Sequence, residues 1–315
     1  MMKKPLVIIA GPTATGKSAV AVQLAKRING AVISADSMQI YKGLDIGSAK
    51  ITDEEREGID HYLISELDPK DDFSVAVFKE MALAAMDTVY DSGKIPIIAG
   101  GTGFYIQAVL YDIDFRETAE NSAKRTEYRE FAEQYGAEAL HDRLKEIDPE
   151  AADQIHCNNV KRVIRALEYH DETGEQISEH NKTEGAKESP YNFKYFVLSD
   201  DRAALYKRIN SRVDAMMQNG LKDEVTALFE SGLAESDISM KGIGYREFFP
   251  FFRGEITEKE LVSDIKKDTR HFAKRQLTWF RREKDARWVD ISLFRRDPEL
   301  IAAYMEDIMK KDGVL

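Results

Sequence analysis

Four short apolar runs and one weaker one set the first organisation of the chain. Leu6–Ala10 (LVIIA) is β-branched and apolar at successive positions, the pattern of a strand buried on both faces, and Gly11-Pro12 stops it. Ala31–Ala35, Ile95–Ala99 and Phe193–Leu198 repeat that character, and Trp288–Ile291 predicts a final edge strand. Between these runs the period lengthens. Val20, Leu24 and Ile28 recur at i, i+4 and i+8 after Lys17, with Asn29-Gly30 as the stop, which predicts a helix. The stretch from Ile51 to Gly93 reads as loop and helix, with Phe73, Val77, Met81 and Met86 on one stripe that predicts core packing, not a ligand box. Helical spacing returns after Asp200 through Leu205, Ile209 and Val213, then Val225, Leu228 and Phe229.

Strands alternating with helices predict a parallel sheet, and such sheets hold ligands in the loops at the carboxyl ends of their strands. The loop after the first strand is Gly11-Pro12-Thr13-Ala14-Thr15-Gly16-Lys17-Ser18, a complete G-x-x-x-x-G-K-[ST] between a strand and a helix. Its glycines let successive N–H groups turn around phosphate oxygens, the helix N-terminus adds partial positive charge, and Lys17 reaches the outer phosphate. Ser18 then stands beside a phosphate-bound Mg²⁺. The pattern arises by chance in about one chain in a hundred of this length, and the flanking strand and helix make it rarer. The second loop, Asp36–Tyr41 (DSMQIY), puts Asp36 on the same edge. That carboxylate either caps the next turn or acts as acid or base beside the phosphates. The third, Gly100–Gly103 (GGTG), says little alone, since glycines often only permit positive φ. As a third strand-end loop it faces the same crevice.

Strand signals vanish between about Phe115 and Pro190. Charged helical segments replace them, at Ser122–Gln134, Ala137–Ile147, Glu150–Ile155 and Asn159–His170, and Lys187–Pro190 has loop composition. The expectation is an α/β fold, a P-loop NTPase-like parallel sheet core over 1–114 and 191–315, with a mostly helical insertion at 115–190.

Composition narrows the classes further. The 315 residues are 43% hydrophobic and 10% aromatic, which excludes wholesale disorder. The single Cys157 excludes a disulfide framework and a multi-Cys zinc site. The apolar run near the start spans five residues, short of the roughly 7–15 of a secretory leader and the about 20 of a membrane span. A cytoplasmic protein with no membrane partner is expected. A net charge of −11 argues against an indiscriminate polyanion binder. The charge is uneven, however. From Lys266 to Arg287 nine basic residues face three acidic ones, interleaved with His271, Trp279 and Phe280. Smaller clusters lie at Lys161, Arg162 and Arg165 and at Arg202, Lys207, Arg208 and Arg212. Any one cluster is ordinarily a solvated helix face. Three together suit a polyphosphate or nucleic-acid partner.

Six motifs now stand in one order: Gly11–Ser18 (GPTATGKS), Asp36–Tyr41 (DSMQIY), Gly100–Gly103 (GGTG), Arg162–Glu168 (RVIRALE), Gly242–Arg246 (GIGYR) and Thr269–Phe280 (TRHFAKRQLTWF). In residues, order and spacing the chain resembles the tRNA dimethylallyltransferases, also called tRNA isopentenyltransferases, in their bacterial form. Thr15 stands where the family often has Ser and Ser18 where Thr is common; both keep a hydroxyl. The resemblance implies transfer of a dimethylallyl group from dimethylallyl diphosphate to N6 of the adenosine at tRNA position 37, just 3′ of the anticodon. It implies that the P-loop, with Mg²⁺, holds the diphosphate as leaving group. Asp36 is the family's candidate general base, Thr13 a hydroxyl aimed at the bridging oxygen, and Arg212, in preference to Arg208 one turn away, the diphosphate-contacting arginine. Thr102 would line the entrance for the base. The segments carried over as tRNA-contacting are Asp36, Ser37, Met38 and Gln39; Lys161, Arg162, Val163, Ile164 and Arg165 of the insertion, on the anticodon stem; Lys241, Gly242, Ile243, Gly244, Tyr245 and Arg246; and Arg270, Lys274 and Arg281. Lys124 joins them by spacing alone. Gln39 could meet the edge of the base, which must be extruded from its stack to reach a P-loop crevice. A monomer is expected.

Three rivals remain open from the residues themselves. A P-loop small-molecule kinase shares the first 110 residues but gives the basic C-terminal helix no task. A nucleotide-gated RNA-binding protein needs the P-loop but no base at Asp36. A prenyltransferase acting on a free adenine nucleotide needs no stem-gripping insertion.

Overall fold

Six strands, all parallel, form one sheet in the computed structural model, which describes residues 3–115 and 123–315. In chain order the first elements are β1 (Pro5–Ala10), α1 (Lys17–Ile28), β2 (Gly30–Ala35), α2 (Asp53–Arg56), β3 (His61–Tyr62), α3 (Val75–Asp91), β4 (Ile95–Gly100) and α4 (Gly103–Leu110). Five helices follow: α5 (Ala123–Tyr135), α6 (Ala137–Ile147), α7 (Pro149–Gln154), α8 (Val160–Thr173) and α9 (Ile177–Gly185). The chain ends through β5 (Asn192–Ser199), α10 (Arg202–Gln218), α11 (Leu221–Glu230), α12 (Phe248–Phe252), α13 (Glu258–Phe280), β6 (Ala286–Asp290) and α14 (Pro298–Lys311).

The strand order is β3-β2-β4-β1-β5-β6, so β1 lies inside with β4 and β5 on its flanks. The expected edge strand is β6, paired with β5. The opposite edge, β3, is two half-buried residues, too short to leave a period in the sequence. α1 and α14 pack together, Val20, Leu24 and Ile28 sharing a core with Ile301, Met305 and Met309. The stripe on α3 differs by one position from the expectation. Phe78, Ala82, Ala85, Met86 and Val89 are buried, whereas Val77 and Met81 are only half-buried. Phe73 is buried ahead of the helix, which starts after the Ser74 N-cap.

The chain folds as two compact units, one formed by Met1–Leu110 with Pro190–Leu315 and the other by Tyr111–Ser189. The helical unit has its own core, built from Tyr128, Leu140, Leu144, Val163, Ile164 and Leu167. Its α9 had no counterpart among the four predicted helices, and Ser122, the expected start of its first helix, lies outside the described residues. Among the described residues no helix is long and apolar enough to cross a membrane.

Candidate active site

The P-loop turns on three positive-φ residues: Gly11 (147°), Ala14 (64°) and Gly16 (83°), the last capping α1. A Cβ at Gly11 would lie 2.6 Å from the Leu198 carbonyl oxygen, so glycine lets the loop pass the backbone of β5. Inside the turn, the Pro12 carbonyl accepts from Thr15 Oγ1 (2.8 Å) and from Lys17 Nζ (2.9 Å). Desolvation pulls the Lys17 pKa down to about 8, with the Arg212 charge adding to the shift and Asp36 opposing it. A desolvated lysine among inward-turning amides is a site suited to an anion, which would restore its full charge.

Asp36 follows β2, caps the next turn and also faces the crevice. Its Oδ1 accepts from the backbone N–H groups of Met38 (2.9 Å) and Gln39 (3.4 Å), capping the turn. The same side chain lines two adjoining cavities. One, about 670 Å³, is the phosphate-side cavity, bounded by Gly16, Lys17, Ser18, Asp36 and Arg212. The other, about 380 Å³, is apolar on Phe73, Tyr105, Ile209, Met216 and Phe272 and cationic at Lys241, Arg246 and Arg275. Thr13, Asp36 and Arg212 belong to both. Arg212 Nη1 stands 3.5 Å from Thr13 Oγ1, and burial holds the Arg212 pKa below its ordinary value, against the pull of Asp36 and Glu55. Arg208 pairs with the Asp200 carboxylate at 3.3 Å, which Arg296 also holds with two bonds of 2.9 Å, while Arg208 Nη2 lies beside Gly16 of the P-loop.

GGTG reaches the crevice as expected, with Thr102 on the apolar cavity. Gly100 meets the Ala35 backbone of β2, whereas Gly101 and Gly103 make room for α13. A Cβ at Gly101 would sit 2.1 Å from Gln276 Nε2, and one at Gly103 2.1 Å from Trp279 Cδ1. Gln276 bridges two loops, accepting from Thr13 N–H (2.9 Å) and donating to the Gly101 carbonyl (2.9 Å). Sequence reasoning passed over this residue. Its signal is a polar side chain on the buried stripe Ile265, Ala273, Gln276, Phe280 of α13.

The family model described as IPP transferase matches residues 39–283. The chain belongs to the IPP transferase family. It is 50% identical over 309 residues, covering 98% of this chain and 99% of the other, to a protein of Lachnoclostridium phytofermentans named tRNA dimethylallyltransferase. The crystal structure of the tRNA isopentenylpyrophosphate transferase from Bacillus halodurans is similar, at 41% identity and a TM-score of 0.74 over 99% of this chain and 98% of that one. A eukaryotic dimethylallyltransferase, captured acting on tRNA, is 28% identical with a TM-score of 0.79, over 91% of this chain and 74% of its own. The P-loop NTPase-like parallel sheet is thus the fold of an IPP transferase.

The residues that family resemblance assigned to tRNA do not share one environment. Ser37, Met38, Lys241, Gly242, Ile243, Gly244 and Arg246 line the apolar cavity with Asp36 and Thr102. Tyr245 does not. It is 0% exposed, and its hydroxyl donates to Glu224 Oε1 (2.9 Å) and accepts from Ser48 N–H (3.1 Å), so it holds the segment rather than meeting a ligand. Gln39 lines the phosphate-side cavity, and its amide is engaged with Ser34 Oγ and the carbonyls of Ser48 and Ala49. Arg270 donates to Asn210 Oδ1 (2.6 Å), whereas Lys274 and Arg281 are exposed on the outer side of α13. In the helical unit Lys161 and Arg162 are exposed and Arg165 is half-buried. Val163 and Ile164, carried over as contacts to the anticodon stem, are corrected: both are buried and pack inside the helical unit. Lys124 is exposed and pairs with Glu127 at 3.1 Å.

Among the described residues no group of three or more His, Cys, Asp or Glu side chains could hold a metal alone. Mg²⁺ does not require one, because it keeps waters and binds through substrate phosphates with one or two protein oxygens. The Ser18 hydroxyl on the cavity of Lys17 fits that mode.

Proposed function

We propose that this chain transfers the dimethylallyl group of dimethylallyl diphosphate to N6 of the adenosine 3′ of the anticodon in tRNA. The observation that carries the reading is the sharing of Thr13, Asp36 and Arg212 by a phosphate-type cavity and an apolar, cation-rimmed one. A donor and an acceptor can meet at those three side chains. The adenine amine is a poor nucleophile because its lone pair is delocalised, so proton removal during attack is required. As N6 bonds to the allylic carbon and the carbon–oxygen bond breaks, Asp36 takes the N6 proton and the electron pair leaves on diphosphate. The amides of Ala14–Ser18, Lys17 and Arg212 hold that growing charge, with the Thr13 hydroxyl at the bridging oxygen. Ser18 would hold a Mg²⁺ ion with the diphosphate, and that ion would supply further charge neutralisation.

The apolar cavity takes the extruded base, with Thr102 at its mouth and Phe272 and Tyr105 as stacking surfaces. Ser37, Met38 and the Lys241–Arg246 segment bind around it, and Lys274 and Arg281 contact phosphates. Lys161 and Arg162 of the helical insertion, at 115–190, grip the anticodon stem. The enzyme works as a cytoplasmic monomer.

The test is incubation with labelled dimethylallyl diphosphate, Mg²⁺ and unmodified tRNA, beside ATP and AMP as controls. Label on one adenosine of the anticodon loop is expected. ATP turnover or AMP prenylation without labelled tRNA would overturn the reading.

A further inference from the structure

α13 has two faces with different work. Lys274 and Arg275 stand exposed, and Arg281 follows at its end. One residue from Arg275, Gln276 points the other way and is 6% exposed. Its side-chain carbonyl accepts from Thr13 N–H and its amide donates to Gly101 O, each at 2.9 Å. Thr13 lies in the loop after β1 and Gly101 in the loop after β4, and these strands are neighbours in the sheet. One amide therefore joins the donor loop, the loop carrying Thr102 and the helix that presents cations. The bridge is close-fitting, since even a methyl group at Gly101 would meet Gln276 Nε2 at 2.1 Å. It also has a chemical consequence. The Thr13 N–H is withdrawn from the phosphate cradle and given to the protein, which fixes the backbone that carries the Thr13 hydroxyl toward Arg212.

Resting on the transferase reading above, we propose that Gln276 is a positioning residue for the transfer step. It holds the Thr13 hydroxyl in register with the donor and ties that register to the helix on which RNA is seated. It touches neither substrate; it acts through Thr13. A displacement of about 1 Å in a positioning group can cost about 10²-fold in turnover, and residues acting through one group are non-additive.

Two variants break the bridge from opposite sides. Gln276→Met keeps the length of the side chain and removes both hydrogen bonds. Gly101→Ala leaves Gln276 intact but displaces its flexible end, and Gly101 does not have a positive φ that alanine would resist. Each is expected to lower kcat at saturating substrates by about 10- to 100-fold, with the KM for dimethylallyl diphosphate held within about threefold. In a Thr13→Val background, each should cost less than about threefold more. Parent-like kcat in both variants would overturn the proposal. So would costs that multiply undiminished in the Thr13→Val background, which would mark Gln276 as a structural support only. A parent chain that labels no tRNA would defeat the transferase reading instead, so the two failures are distinguishable.

Discussion

The sheet-bearing unit and the helical unit use a run of motif residues in opposite ways. In the first, Thr13, Asp36 and Thr102 come from three loops at the carboxyl ends of the adjacent strands β1, β2 and β4. Loop backbone is irregular, so consecutive residues there can all serve one cavity: Asp36, Ser37 and Met38 do so. In the second, Lys161–Glu168 winds around α8 at 3.6 residues per turn. Val163, Ile164, Ala166 and Leu167 enter the core, and Glu168 is buried against Arg125 at 2.7 Å, leaving Lys161 and Arg162 outside. On a loop, consecutive motif residues can face one cavity; on a helix, the turn divides them between core and surface.

Four measurements can break that contrast or sharpen it. The largest effect belongs to Asp36→Asn, which retains an acceptor for Met38 and Gln39 while removing the base. Turnover should fall by about 10²- to 10⁴-fold with tRNA affinity unchanged, read by steady-state kinetics and filter binding. Equal loss from a loop-capping defect would instead show as weakened binding. Leu167→Ala comes next, since a fully buried leucine in the helical unit is removed. It should destabilise that unit by about 2–5 kcal/mol, seen as lost amide protection there during hydrogen exchange, while inorganic diphosphate still binds the P-loop. Coupled loss of both would mean the units do not act separately.

The third is a pH profile. With the Lys17 pKa lowered to about 8 in the free protein, an incoming anion finds a charged lysine below that pH and must drive proton uptake above it. Diphosphate affinity relative to a Lys17→Arg variant should be level below pH 8 and fall by up to about tenfold per pH unit above it. Calorimetry in buffers of different ionisation enthalpy measures the proton taken up. A constant ratio from pH 7 to 9.5 would show that desolvation does not lower this lysine. The smallest effects lie on the helical surface. Arg162→Ala should reduce the slope of log affinity for tRNA against log salt by about 1. Lys124→Ala, which loses only an exposed pair with Glu127, should change affinity by less than about 0.5 kcal/mol. A larger loss at Lys124 than at Arg162 would reverse their assignment.

Much of the donor side was legible in the residues alone. Strand, glycine turn and helix are local patterns, and the chemistry of Gly11–Ser18 sits in eight consecutive residues. Gln276 was not legible in that way, because its partner Thr13 is 263 positions away. Nor was the role of Tyr245, an aromatic in a conspicuous motif whose ring fills the space beside Gly47, where a Cβ would lie 2.5 Å from its Cζ. Motif membership marked both residues without saying which way either one faces.

What the sequence determined by itself was five of the six strands, many of the helices, the glycine-rich turn between β1 and α1, and the family. Periodicity and backbone chemistry act over a few residues, so they are written where they are read. What only the tertiary structure decided was which polar side chains meet. The order β2-β4-β1 brings Asp36, Thr102 and Thr13 to one edge, and the close approach of α13 to Gly101 and Gly103 makes Gln276 their common partner. Those meetings depend on how distant segments pack, a property of the whole chain that no local pattern of residues contains.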